Sequence, residues 1–201
     1  MTKMGQYYLI GERHVDDGNF FMLDKPEYIQ NTINILQTHF HAFLEIQRIK
    51  PNAYFVEGAL GVFFRGHFAK GHRKLLEEVC ASVNTKFITL LDKKGFDKQE
   101  NIDSNMYQYI RERHWLRDIT ERNTAIVHTG NWHTPRLEKE LLNEGHEVEI
   151  LFCWNGKNYT PTPEFIDYLE RVHVLMARRA ETENLGKMME YLKKRACLTG
   201  V

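Results

Sequence analysis

The sequence predicts an α/β fold: one domain, a mainly parallel sheet flanked by helices, with further helices appended at the C-terminus. Two observations carry this. Five short runs rich in Val, Ile, Phe and Tyr recur along the chain, and helical patterns fill the gaps between them. The runs are largely apolar rather than alternating, which suits strands covered on both faces. Strands that alternate with helices assemble into a parallel sheet through right-handed crossovers.

Taken in order, the first strand is expected over Tyr7–Gly11 and a helix from Pro26 to about Ile49. In that helix Ile29, Ile33, Leu36, Phe40 and Phe43 step by four and three, the spacing of a core-facing stripe. The second strand is Ala53–Glu57, followed by a weaker helix from about His67 to Val83. Phe87–Leu91 is the third strand. Lys93–Asp103 is polar and aperiodic, the pattern of a loop near the strand ends. A helix then runs from near Ser104 to near Arg122, and Thr124–His128 is the fourth strand. Thr134-Pro135 reads as a cap followed by proline at the first helical position, and this helix stops before Gly145. Glu147–Phe152 is the fifth strand.

After residue 152 the pattern changes. Asn155–Pro163 is turn-rich. Phe165, Leu169, Val172 and Met176 form a helical stripe, and a last helix covers roughly Leu185–Ala196. The single domain 1–201 thus divides into a sheet core, 1–152, and a C-terminal helical extension, 153–201. The extension packs on the sheet or on a partner, a second copy included.

Composition narrows the function. Hydrophobic residues make up 42% and charged residues 27%, and 27 basic residues balance 27 acidic ones. Zero net charge argues against a general nucleic-acid or anionic-membrane binder. No apolar run is long enough for a signal peptide or a membrane span. The three cysteines, Cys80, Cys153 and Cys197, are odd in number and lack CxxC spacing. They read as reduced thiols of a cytoplasmic protein.

Ligands in open α/β sheets bind beyond the carboxyl ends of the strands. Strand one exits into Gly11-Glu12-Arg13-His14, then Asp16 and Asp17; strand two into Glu57-Gly58; strand three at Asp92; strand four into His128-Thr129-Gly130-Asn131-Trp132-His133. Loops favour polar residues, so one such exit means little, but four in succession point to a site. Arg113 lies four after Tyr109 and three before Leu116. That spacing places it on the inward stripe of its helix, where a guanidinium needs a carboxylate such as Glu12 or Glu57, or a bound anion. The alternative is that it snorkels to the core rim. His128 is read as a hydrogen-bonded core histidine in preference to a ligand. His39 and His41, two apart on one helix, cannot face one ligand together. His67, His72, His146 and His173 read as surface or packing residues.

Two carboxylates and two imidazoles can hold a divalent metal, and mixed oxygen and nitrogen donors suit zinc, manganese, iron or cobalt. A bound metal would activate water. A metal-free route is equally open, with His14 or a carboxylate as base and Arg113 stabilising developing negative charge. HExxH, paired CxxC, GxGxxG, GxxxxGK[ST] and Gly-x-Ser-x-Gly are all absent.

These motifs resemble the superfamily that groups erythromycin esterases, ChaN-type haem-uptake lipoproteins, TraB/PrgY pheromone-shutdown proteins and TIKI proteases. Its first strand ends in Gly-Glu-x-His or Gly-Thr-x-His, and here stands Gly11-Glu12-Arg13-His14. A second strand ends in glutamate, matched by Glu57. A helical arginine in an Arg-x-x-x-Met-like setting is matched by Arg113, although Leu116 falls one place early for the methionine. A late Gly-x-x-His is matched by Gly130-Asn131-Trp132-His133. Order and approximate spacing agree from about residue 7 to 152. The chain is much shorter than the esterases. The resemblance implies metal-dependent peptide cleavage, metal-independent ester hydrolysis, or haem or signal binding.

The expectation is a hydrolase-like protein that cleaves an ester or amide bond of a small-molecule or peptide substrate. Its catalytic set is Glu12, His14, Glu57, Arg113 and His133, and Glu12, His14, Glu57 and His133 are its metal donors, for manganese, cobalt or zinc. The rival expectations are a non-catalytic ligand-binding protein, for example for haem, and an interaction protein that pairs through the C-terminal helices.

Overall fold

The computed structural model describes residues 4–12, 26–57, 68–90, 104–154, 162–175 and 186–194. His14, Asp16, Asp17 and Asp92 lie outside these, as do the Lys93–Asp103 loop, most of the 155–163 connection and the side chains of Ile29 and Met106.

The strands are β1 (Gln6–Glu12), β2 (Ala53–Glu57), β3 (Lys86–Leu90), β4 (Thr124–Gly130) and β5 (Glu147–Cys153). The helices are α1 (Pro26–Ile49), α2 (Phe68–Ser82), α3 (Ser104–Thr120), α4 (Thr134–Asn143) and α5 (Pro163–Leu175), followed by α6 over residues 186–194. All five strands pair in parallel, in the order β3-β2-β4-β1-β5. The α/β class and the parallel sheet agree with the sequence pattern. The most apolar runs, β1, β2 and β4, are the central strands, while the ends β3 and β5 are more exposed.

The chain first steps from β1 towards β3, then reverses and steps towards β5. Right-handed crossovers therefore lay the first helices on one face and the later ones on the other. One core contains Tyr8, Ile10, Tyr54 and Ile126 from the sheet, packed against Leu36, Phe40 and Phe43 of α1 and Leu75 and Val79 of α2. The other contains Tyr7, Leu9, Phe55 and Val127, packed against Trp115 and Ile119 of α3 and Leu137 and Leu141 of α4. Each large apolar side chain buried in this way contributes roughly 1.5–3 kcal/mol before entropy is counted.

The C-terminal helices join the first core. Phe165, Leu169 and Val172 of α5 and Met188, Met189 and Leu192 of α6 are buried there. Met188 and Met189 therefore do not form the exposed apolar face that pairing through this region would need.

At the start of α4 the residue expected to cap is instead the first helical residue. His133 occupies the cap position without a side-chain cap bond, and the Thr134 hydroxyl donates back to the Gly130 carbonyl at 3.4 Å. Gly145 follows α4 with φ +83°, the left-handed conformation that suits glycine.

Candidate metal centre

β1 and β4 are neighbours, yet β1 leads to α1 on one face and β4 to α4 on the other. Such a divergence opens a crevice at the carboxyl edge, the place where α/β sheets bind ligands. Glu12 ends β1, Glu57 ends β2 and His128 lies near the end of β4 between them.

Strand alternation then sorts these residues. Glu12 shares a face with Tyr8 and Ile10, and His128 with Ile126, so both look towards α1 and α2. Glu57 shares the opposite face with Ala53 and Phe55 and looks towards α3 and α4. The residues expected to form one cluster therefore stand in two.

On the first face, Glu12 Oε2 lies 2.7 Å from His39 Nε2 and 3.1 Å from His128 Nε2. Donor atoms from Glu12, His39 and His128 all fall within 4.8 Å of one another, and all three residues are buried. This group can hold a metal ion. His128 Nδ1 shares a 2.6 Å hydrogen bond with the Tyr54 hydroxyl, which orients the ring with Nε2 towards Glu12. Burial alone would raise the Glu12 carboxyl. The neighbouring His39 and the hydrogen bonds from His128 and His39 override burial and hold it at about 2. Burial lowers His128, and the hydrogen bond and charge of Glu12 only partly oppose this. A carboxylate beside a neutral imidazole is the protonation pattern that a metal requires.

On the second face, Glu57 accepts from Arg111 Nη2 at 2.7 Å and from the Gly130 backbone N–H at 2.8 Å. His133 Nδ1 pairs with Glu112 Oε1 at 2.6 Å, and His133 Nε2 stands 3.7 Å from Glu57 Oε1. The Arg111 guanidinium lies over the Trp115 ring at 4.3 Å. A groove of about 180 Å³ between α3 and α4 opens beside Glu112, with Tyr109, Leu116, Arg136 and Leu137 among its walls. A buried carboxylate–histidine pair of this kind can pass a proton, and the adjacent arginine can balance negative charge.

The structure thus keeps Glu12 with the first group and Glu57 and His133 with the second, and His14 lies outside the described residues. Arg113 does not face inward. Its side chain is about half exposed and donates to Glu140 at 3.1 Å. The cause is Tyr109, which is 47% exposed, so a residue four after it lies on the surface with it. Arg111, four before the buried Trp115, takes the carboxylate that Arg113 was expected to meet.

His39 was discounted, yet it sits three after Leu36 and four before Phe43, on the inward stripe of α1. Its separation from His41 is correct for a helix: His41 turns away and stacks on Phe152. His128 combines the two readings weighed for it, being a hydrogen-bonded core histidine and also part of the donor group. No protein-family model, curated protein or solved structure matches this chain. Among the described residues no helix is long and apolar enough to cross a membrane. The fold and site together define a parallel α/β protein with a buried carboxylate–bis-histidine centre at its strand exits.

Proposed function

We propose that this protein is a metal-dependent hydrolase acting on an ester or amide bond, with its ion held by Glu12, His39 and His128. The observation that carries the reading is the convergence of three buried donors from β1, α1 and β4 within 4.8 Å at the switch point of the sheet. Two imidazoles and one carboxylate are a donor set of hydrolytic zinc sites, and the same donors suit manganese or cobalt.

A bound divalent ion would polarise a carbonyl and make water nucleophilic near neutral pH. The chain's own residues prepare that chemistry. Glu12 is already ionised, and Tyr54 fixes the ring of His128. Across the sheet edge, the Glu112–His133 pair would hand a proton to a leaving group, with Arg111 paired to Glu57 beside it. Membership of the esterase and TIKI protease superfamily belongs to the same proposal. It rests on the order of Gly11-Glu12, Glu57 and Gly130-x-x-His133 at strand exits.

The test is elemental analysis after reconstitution with manganese, cobalt or zinc, together with turnover of an ester and peptide panel. One equivalent of metal and turnover in the parent, with both lost in His39→Ala, is the expected result. Failure of the parent to bind any of the three ions would overturn the reading. Stoichiometric metal without turnover on any substrate would make it a metal-binding protein and not an enzyme.

A further inference from the structure

We propose that His72 is a fourth protein donor to the metal centre, so that the ion is held by three imidazoles and one carboxylate. The inference rests on the metal-centre reading above and extends it.

His72 lies on α2 and is fully buried. Its Nδ1 shares a 2.8 Å hydrogen bond with the Tyr168 hydroxyl of α5. Its Nε2 is buried and has no hydrogen-bond partner among the described residues. A fold does not cheaply leave a buried ring nitrogen unmatched, and an incoming ligand is one way to satisfy it.

The surroundings repeat those of His128. The His39 ring stands 5.3 Å from the His72 ring at 78° and 5.3 Å from the His128 ring at 77°. His39 therefore makes edge-to-face contacts with two imidazoles. Each flanking imidazole has its Nδ1 tied to a buried tyrosine hydroxyl, Tyr168 for His72 and Tyr54 for His128. That tie leaves Nε2 on the far edge of the ring, and in His128 this Nε2 is the atom that meets Glu12. Hydrogen bonds that orient histidine through its second nitrogen are the usual support of a metal-ligating ring. His72 stands outside the compact three-donor group, so coordination would require its Nε2 to move closer to the other three donors.

Four protein donors have a consequence for the metal. A tetrahedral ion would be closed to water, whereas an ion that accepts five or six ligands keeps a position for it. The set therefore favours manganese, iron or cobalt over zinc as the working ion.

Cobalt(II) is the probe. Its affinity is measured by competition with a chromophoric chelator, and its visible spectrum reports coordination. His72→Phe preserves an aromatic ring in the core and removes the donor. The expected result is that cobalt binds the parent, fails to bind His39→Ala, and binds folded His72→Phe about tenfold more weakly or worse, with altered visible bands. Parent affinity and an unchanged spectrum in folded His72→Phe would overturn the fourth donor and leave the three-donor centre standing. Absence of cobalt from the parent would remove both. Proton NMR of the cobalt-loaded parent gives a test that needs no variant. Three paramagnetically shifted, exchangeable imidazole N–H signals are expected, and two would overturn the inference.

Discussion

The Tyr54 hydroxyl illustrates how one atom can govern the candidate site. It sits inside the apolar run of β2, yet its only polar atom meets His128 Nδ1 at 2.6 Å. Tyr54→Phe keeps the ring and removes that oxygen, so the His128 ring loses its orienting partner. The expected outcome is a fall in metal affinity of about tenfold with little change in fold, read by chelator competition. Glu57 behaves differently. It is the carboxylate partner of Arg111, whose side chain is only 9% exposed. Glu57→Ala therefore leaves a largely buried guanidinium without it and is expected to cost about 3 kcal/mol or more, read as a lowered urea midpoint. A loss of activity in any Glu57 variant has to be judged against that loss of stability. Arg113→Ala removes an exposed ion pair and a distant contact with the Tyr109 ring and provides the contrast, with a change within about 1 kcal/mol.

At the scale of elements, the contact between β1 and the start of α4 sets the carboxyl edge. A Cβ at Gly11 would come within 2.8 Å of Thr134 Oγ1, 2.9 Å of Cys153 Sγ and 3.2 Å of the Asn131 Cα. The last of these is backbone and cannot turn aside. The glycine in Gly11-Glu12 is thus required by close packing of the β4–α4 turn against β1. Gly11→Ala is expected to destabilise by about 1–3 kcal/mol and to shift Asn131, whose N–H donates to the Glu12 carbonyl. Thermal melts of metal-free protein and the metal affinity of the variant would read the two effects separately. The helices contribute in a complementary way. α1 and α2 bring His39 and His72 to the face where Glu12 and His128 emerge, and α3 brings Arg111 and Glu112 to the face of Glu57.

Over the whole molecule, the buried histidines give acid sensitivity a definite sign. Burial is the leading cause that lowers His72, His128 and His41 from their ordinary value of 6.5. The unfolded chain therefore binds more protons than the folded one below that pH, and stability falls as pH falls. Glu12, held at about 2 against 4.5, extends the loss through the range between those values. In chelator-treated protein the urea midpoint is expected to change little above pH 7 from these groups and to fall progressively below about 6.5. A midpoint that rises on acidification from 6.5 to 5 would contradict this account.

Most of the architecture was legible in the chain. Apolar runs with helical stripes between them gave five parallel strands and their helices to within a few residues, because burial on both faces demands those patterns. The rule that ligands gather at strand exits drew attention to Glu12, Glu57 and the segment from His128 to His133, of which Glu12 and His128 stand in the buried donor group. The sequence by itself determined these elements and the edge where polar groups collect. Only the tertiary structure decided which of those groups meet. The order β3-β2-β4-β1-β5 and the reversal of its crossovers set which helices cover each face. Period-two alternation then sends Glu12 and His128 to α1 and α2, and Glu57 to α3. Linear proximity to a strand exit carries no information about face. A residue such as His39, in the middle of a helix, joins the donor group only when a crossover lays that helix over the strand ends.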